Sequence, residues 1–440
     1  MPGSWRWGLC LMVAVLGCAA YLAQNIIGPR GQAALGALCF LGIVAACSAN
    51  LRAVNWRTVG WGIGLQVGLG LFIIKFTIFG IRPGYEMFNA IVSVVKKLLE
   101  FTSAGSQFVF GKLADQAAMD QVFGKGNGFV FAFSALPTIV FVASFFTVLY
   151  YFGVLQFIVR LMARVMVYLL QTSGAETLSA SANVFMGQTE APLIIKPYVE
   201  RMTLSELLAL MVGGMATISG GLMVVYIGMG ADPVGILATS VMAAPCGLYL
   251  SKLLLPELGQ PETRGEVKTA IEQPYTNTID AASAGASDGM KLAINVAAML
   301  IAFLAFIALF DWLLGLISSH LSLRVVFSWL FSPVAFLMGT KPSEVPAMAD
   351  LLGTKLAANE FVAYIKFKTE YLDVLSERGR ILATYALTGF ANFSSIGIQI
   401  GGIGAMAPSR RHDLARLGGR ALFVGFVATL LNASIAGMLL

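Results

Sequence analysis

Nine stretches of mainly apolar residues, at 8–26, 32–48, 57–79, 129–159, 205–229, 235–254, 290–316, 381–404 and 421–440, dominate the chain. Each is long enough, or nearly so, to reach across the hydrocarbon core of a bilayer, which takes about 20 residues of helix. Charged residues make up 12% of the chain, about half the usual share, and they fall mostly between these stretches. With 58% hydrophobic residues and a mean hydropathy of +0.80, the chain reads as an all-α polytopic membrane protein with nine transmembrane helices. Its 47 glycines show no G-X-Y period and suit close helix packing and broken helices.

Other classes find little support. The net charge of +6 comes from Lys and Arg scattered over short loops, with no basic stripe interleaved with aromatics, so nucleic acid is not an expected partner. Cys10, Cys18, Cys39, Cys47 and Cys246 lie in apolar surroundings without metal-ligand spacing and read as buried small hydrophobes. His320 and His412 are the only histidines, which argues against a histidine-based metal site or a Ser–His–Asp arrangement. GKGNG at 124–128 has no Walker lysine followed by Ser or Thr and reads as the turn before a span. The first stretch follows Arg6 much as a signal peptide would, but the many spans after it favour an uncleaved helix.

Loop charges set the expected orientation. An N-terminus in the cytoplasm places Arg52, Arg57, Arg160, Arg164, Lys196, Arg201, Lys252 and the run Arg410, Arg411, Arg416, Arg420 inside, and the C-terminus outside. Lys366, Lys368, Arg378 and Arg380 run against the count. In 85–118, Met87, Ile91, Val94, Val95, Leu98, Leu99 and Phe101 recur at helical spacing, interrupted by Lys96, Lys97 and Glu100. That pattern predicts an amphipathic helix lying at the interface. The polar segment 256–288 reads as a cytoplasmic connection.

Two regions fit neither span nor loop. Residues 173–200 carry Ser179, Ser181, Asn183, Gln188, Thr189 and Glu190 amid apolar residues, broken by Gly187 and Pro192; residues 331–364 carry Asn359 and Glu360 near their end. Each has room for a re-entrant hairpin, and each precedes a helix with a polar break: Thr217 and Ser219 in 211–226, and Asn392, Ser394 and Ser395 in 385–404. An odd number of intervening spans makes the hairpins open to opposite faces, the pattern of an inverted-repeat transporter. Broken helices in lipid survive only around protein or a wet cavity, where free N–H and C=O groups can hold a polar solute and a cation. Simpler roles exist for each residue alone. Glu190 or Glu360 could tie to Lys196 or Lys355, Asn183 and Asn359 could cap helices, and the Ser and Thr hydroxyls could bond their own helix carbonyls.

Three motifs carry a resemblance. GQTEAPLIIKPY at 187–198, GTKLAANEFVAY at 353–364 and YALTGFANFSSIGIQIGGIG at 385–404 resemble, in order, motifs of the concentrative nucleoside transporter family, with similarity from about residue 30 to the C-terminus. The resemblance implies a cation-coupled nucleoside symporter of the bacterial inner membrane, not an enzyme, assembled as a homotrimer. It divides the chain into a scaffold part at 1–167, a first transport repeat at 168–255, a connection and long scaffold span at 256–327, and a second transport repeat at 328–440. Family members with eight spans lack a counterpart of 8–26. By motif, Gln188, Thr189 and Glu190 would contact the nucleobase beside Leu222, while Glu360, Asn392 and Ser395 would hold the ribose and Phe390 would line the pocket. Sodium-coupled members imply a Na+ site at Asn183 and Thr217 with the carbonyls of Met186 and Ile218; proton coupling is the alternative, and a passive nucleoside channel a further one.

Overall fold

The computed structural model describes residues 4–124, 130–265 and 275–440. Most of GKGNG and the middle of the 256–288 connection lie outside the described residues. Helices α1 (Ser4–Leu22) and α2 (Gln24–Ala46) pack against each other, and Arg6 Nη2 donates to the Ser48 carbonyl at 3.1 Å, so the start of one lies beside the end of the other. Helix α3 (Trp56–Ile74) is capped by Asn55, whose side chain accepts from the Arg57 N–H. Helix α4 (Pro83–Phe110) follows, then the short α5 (Gln116–Phe123).

The stripe expected on α4 is split between two faces. Phe88, Val92, Val95 and Leu98 are buried against the protein, whereas Met87, Ile91, Val94 and Phe101 are exposed. The helix therefore has one apolar face that packs and a second that a non-aqueous neighbour must cover.

The expected span 129–159 is two helices. Helix α6 (Phe131–Tyr151) stops and α7 (Val154–Leu170) starts afresh because Gly153 takes φ 79, a left-handed conformation that costs glycine little. Arg160 and Arg164 thus belong to α7, which buries Leu155, Val159, Ala163, Met166 and Leu170 along one side.

From here the same order of elements occurs twice. The first series is α8 (Gly174–Ala182), a 3-10 turn at Ala191–Ile195 leading into α9 (Lys196–Val199), the interrupted pair α10 (Leu204–Ala216) and α11 (Gly220–Gly228), and α12 (Pro233–Leu254). Helices α13 (Thr278–Ile317) and α14 (Leu323–Leu337) intervene. The second series is α15 (Val345–Ala357), α16 (Glu360–Lys366) with a π turn at Phe367–Tyr371, the interrupted pair α17 (Glu377–Leu387) and α18 (Phe393–Met406), and α19 (Arg411–Leu439). The expected second hairpin, 331–364, is therefore displaced: its first residues belong to α14, and the broken pair is α15 with α16.

Among the described residues eight segments are long and apolar enough to cross a membrane, and they match eight of the nine expected stretches. The ninth, 381–404, is broken at 388–392 into α17 and α18, each shorter than a full crossing. The expected 290–316 begins earlier, at an Asn277 cap, and runs for 40 residues as α13. About nine in ten residues of the α10–α11 and α12 windows are buried, against roughly one in five for α6 and α13. The protein core is thus made by the repeated series, and α1, α6 and α13 present their apolar sides outward. Cys10 and Cys18 on α1 and Cys47 at the end of α2 are exposed, contrary to the expectation of burial, while Cys39 and Cys246 are buried.

Two ion pairs, each with a buried carboxylate, brace the series. Lys252 at the end of α12 meets Glu176 at 2.7 Å, and Glu176 also completes a capping box with Ser173 at the start of α8. Lys366 of α16 meets Asp350 of α15 at 2.7 Å, and Tyr371 donates to the same carboxylate at 2.6 Å. A buried carboxylate needs such donors to remain tolerable away from water.

Candidate functional site

The interrupted helices cross at their breaks. The Phe390 N–H donates to the Thr217 carbonyl at 3.1 Å, joining the gap in α17–α18 to the gap in α10–α11. Gly389 allows this approach: it adopts φ 145, and a Cβ there would lie 3.0 Å from the Met215 carbonyl oxygen and 3.2 Å from that of Ala216. Each break frees backbone groups that a continuous helix would have paired.

Polar side chains converge on this crossing. Asn392 caps α18 by accepting from the Ser395 N–H at 2.9 Å, and its Nδ2 donates to Glu360 Oε2 at 3.0 Å. Gln188, from the turn after α8, donates to Ser395 Oγ at 3.2 Å. A continuous path of hydrogen bonds therefore runs from Gln188 through Ser395 and Asn392 to Glu360, linking the first series to the second. Gln188, Glu360, Asn392 and Ser395 are all buried. Glu360 pairs with no lysine or arginine among the described residues; its other partner is the Tyr226 hydroxyl, donating at 3.0 Å to Oε1. The tie to Lys355 is thus not made, because Lys355 Nζ donates instead to the Ala386 carbonyl and Thr429 Oγ1.

The remaining expected residues divide. Thr189 lies against α18, its Cγ2 only 2.7 Å from where a Cβ on Gly402 would stand. Leu222 is buried in the first turn of α11, and Phe390 is buried in the second break. Glu190 folds back to accept from the Gly187 N–H and is exposed, facing a cavity of about 740 Å³. That cavity lies between α6, α13 and the 185–200 segment, with Tyr150, Lys196, Tyr275 and Asp288 among its lining residues. Glu190 and Glu360 hence face different surroundings, one beside the cavity and one enclosed.

Asn183 is fully buried at the end of α8, and neither atom of its side-chain amide has a hydrogen-bond partner among the described residues. It makes no interhelical bond and caps no helix with its side chain, so neither simple role applies. The Thr217 hydroxyl donates to the Gly213 carbonyl at 2.9 Å, which leaves its oxygen lone pairs free. No backbone donor reaches the Met186 or Ile218 carbonyls among the described residues. An amide oxygen, a hydroxyl and main-chain carbonyls are the donor set of a hard cation such as Na+.

Comparison with known proteins decides the lineage. Sequence models for the Na+ dependent nucleoside transporter N-terminus, a nucleoside recognition region and the Na+ dependent nucleoside transporter C-terminus match residues 35–113, 132–233 and 235–437. An uncharacterized transporter of Haemophilus influenzae is 42% identical over 415 residues, covering 92% of this chain and 96% of that protein. Sodium/nucleoside cotransporter 1 of Mus musculus is 42% identical over 456 residues, 98% of this chain and 67% of the mouse protein. The chain belongs to the concentrative nucleoside transporter family.

Solved structures of CNTnw agree with this membership. Its inward-facing substrate-bound state superposes with a TM-score of 0.86 at 39% identity, covering 94% of this chain and 98% of that one. An outward-facing state of a CNTnw variant gives 0.88 at 38% identity, covering 93% and 98%. In the transporter described here, two polar residues escaped the sequence analysis. Gln399 Nε2 donates to Gln188 Oε1 at 3.1 Å and to the Met211 carbonyl at 3.0 Å, holding the first turn to α10. Tyr226 stacks on Tyr364 with ring centroids 4.3 Å apart and so aims its hydroxyl at Glu360. A signal was present for both: Gln399 lies one helical turn after Ser395, and Tyr226 one turn after Leu222.

Proposed function

We propose that the protein takes up nucleosides by sodium-coupled symport with alternating access, through the crossing of its two broken helices. It is a transporter rather than an enzyme. Gln188 and Thr189 read the base edge beside Leu222, with Glu190 at the mouth of the site. Glu360, Asn392 and Ser395 bind the ribose hydroxyls, which a carboxylate can accept as a pair. Phe390 lines the pocket. Asn183, Thr217 and the carbonyls of Met186 and Ile218 bind the co-transported Na+.

The observation that carries this reading is the hydrogen-bond path from Gln188 to Glu360, with the unpartnered Asn183 amide at the adjoining break. Amide and carboxylate groups at this depth are costly in hydrocarbon unless they serve a ligand. In the bilayer of a bacterial inner membrane, nine crossings (α1, α2, α3, α6, α10–α11, α12, α13, α17–α18 and α19) put the N-terminus inside and the C-terminus outside. The α8–α9 hairpin then enters from the cytoplasm and the α15–α16 hairpin from outside, as an inverted repeat, and α4 lies at the external interface. Residues 168–255 and 328–440 form the moving transport domain, and 1–167 with 256–327 form the scaffold of a homotrimer. The cavity beside Glu190 separates α6 and α13 of the scaffold from the first hairpin, a route by which cargo leaves inward.

Sodium moving inward releases about 2.3 kcal/mol per charge per 100 mV, in addition to its concentration gradient. Proteoliposomes with sodium and proton gradients set separately test the reading with labelled uridine and adenosine. Removing external sodium at constant pH is expected to abolish accumulation. Uptake that persists and follows the proton gradient would overturn the sodium assignment, and equilibration without accumulation would overturn symport.

A further inference from the structure

Lys355 is fully buried near the C-terminal end of α15, in the interior of a protein that spans lipid. A lysine there is costly unless its donors are met. Its Nζ donates at 2.7 Å to the carbonyl of Ala386, in the last turn of α17, and at 3.0 Å to Thr429 Oγ1. Thr429 gives its own proton to the Phe426 carbonyl, so its oxygen acts toward Lys355 as an acceptor. The Phe426 ring lies 5.4 Å from the same nitrogen, within range of a cation–π contact. A positive charge here faces the C-terminal end of α17, with its orphaned carbonyls and negative dipole end.

The first series places a neutral amide, not a charge, near the end of its own first helix. Asn183 stands five residues before Gln188, as Lys355 stands five before Glu360. Thr217 follows the last turn of α10 at the break, as Thr388 follows the last turn of α17. The Asn183 amide points at α10 one turn before its break, with Nδ2 3.1 Å from where a Cβ on Gly213 would be. One half therefore presents an unpartnered amide with free oxygen donors, and the other presents an ammonium whose oxygen acceptors are filled.

We propose that the Lys355 side chain is a tethered counterpart of the transported Na+: a fixed cation that holds the second broken helix as sodium holds the first. This rests on the sodium assignment above. The second half, with Glu360 and Asn392, then stays assembled throughout the cycle, and only the first half waits for an ion. Lys355 is a positioning residue, acting on α17 and not on the nucleoside.

The test uses the full chain in proteoliposomes and asks whether the tethered cation can be exchanged for a free one. Lys355→Asn supplies an amide oxygen beside the Ala386 carbonyl and Thr429 Oγ1. Its uptake is expected to recover only at raised sodium, with the Hill coefficient for sodium and the charge moved per nucleoside each about one greater than in the unmodified protein. A purely structural lysine would give neither change. A folded Lys355→Asn protein with the unmodified Hill coefficient and charge ratio overturns the proposal. Thr429→Val, nearly isosteric, covers the case in which Lys355→Asn does not fold. It is expected to raise the nucleoside KM about three- to tenfold with the half-saturating sodium unchanged, and an unchanged KM counts as refutation. If unmodified uptake ignores sodium, the sodium reading fails. If uptake needs sodium, and Asn183→Ala raises the half-saturating sodium while the Lys355 and Thr429 variants show none of the effects expected of them, the tethered-cation idea fails alone.

Discussion

The two halves of the site share an architecture and differ in how they hold their charges. In the first, Asn183 is buried with no partner, and the tip carboxylate Glu190 is exposed to the large cavity. In the second, Lys355 is buried with its acceptors in place, and Glu360 is enclosed by Tyr226 and Asn392. Each half also holds a carboxylate–lysine pair, but the two are placed differently: Glu176 of α8 reaches forward to Lys252 of α12, whereas Asp350 of α15 meets Lys366 within the broken pair itself. The larger difference lies at the helix breaks. It fits the proposal that the first half changes with an ion while the second provides a stable surface for the sugar.

Four substitutions press on this contrast. Glu360→Gln removes the charge from the preassembled half and is expected to raise the nucleoside KM roughly 10- to 100-fold, the ~1.5–3 kcal/mol of hydrogen bonds to a charged group. Uptake kinetics at saturating sodium check it; a change below threefold would remove Glu360 from the ribose site. Gly389→Ala attacks the junction itself, since a side chain at φ 145 would press on the Met215 and Ala216 carbonyls. Thermal unfolding of the purified protein should show a loss of about 1–3 kcal/mol, with sodium and nucleoside affinity both weakened, because both halves meet there.

Asn183→Ala is expected to act on one half alone. The half-saturating sodium concentration should rise about tenfold, or ~1.4 kcal/mol, while the melting temperature holds, because this amide has no hydrogen bond to lose. A fall in melting temperature with unaltered sodium dependence would make Asn183 a structural residue. Gln399→Leu has the smallest expected effect. It frees Gln188 from α10 and leaves Ser395 as its remaining partner, so KM should rise about three- to tenfold, ~0.5–1.5 kcal/mol. A larger shift for one base class than another in a nucleoside panel would show that Gln188 is aimed, as well as held, by Gln399.

The sequence alone determined the solvent of this protein and the type of its elements. Apolar runs of about 20 residues can be satisfied only as helices in lipid, and polar residues amid such runs mark the breaks, so Asn183, Gln188, Glu360, Asn392 and Ser395 stood out without coordinates. Those signals are local, carried by composition and spacing within one segment.

Tertiary structure decided which of them touch and which remain free. The joining of the two breaks through Phe390 and Thr217 and the two-sided burial of α4 depend on neighbours distant in sequence. So do the pairing of Lys355 with Ala386 rather than Glu360, and the separation of Glu190 from Glu360. A sequence records that a lysine and a glutamate lie five residues apart. Whether the ammonium meets the carboxylate or an orphaned carbonyl 31 residues away is set by where the broken helix places that carbonyl.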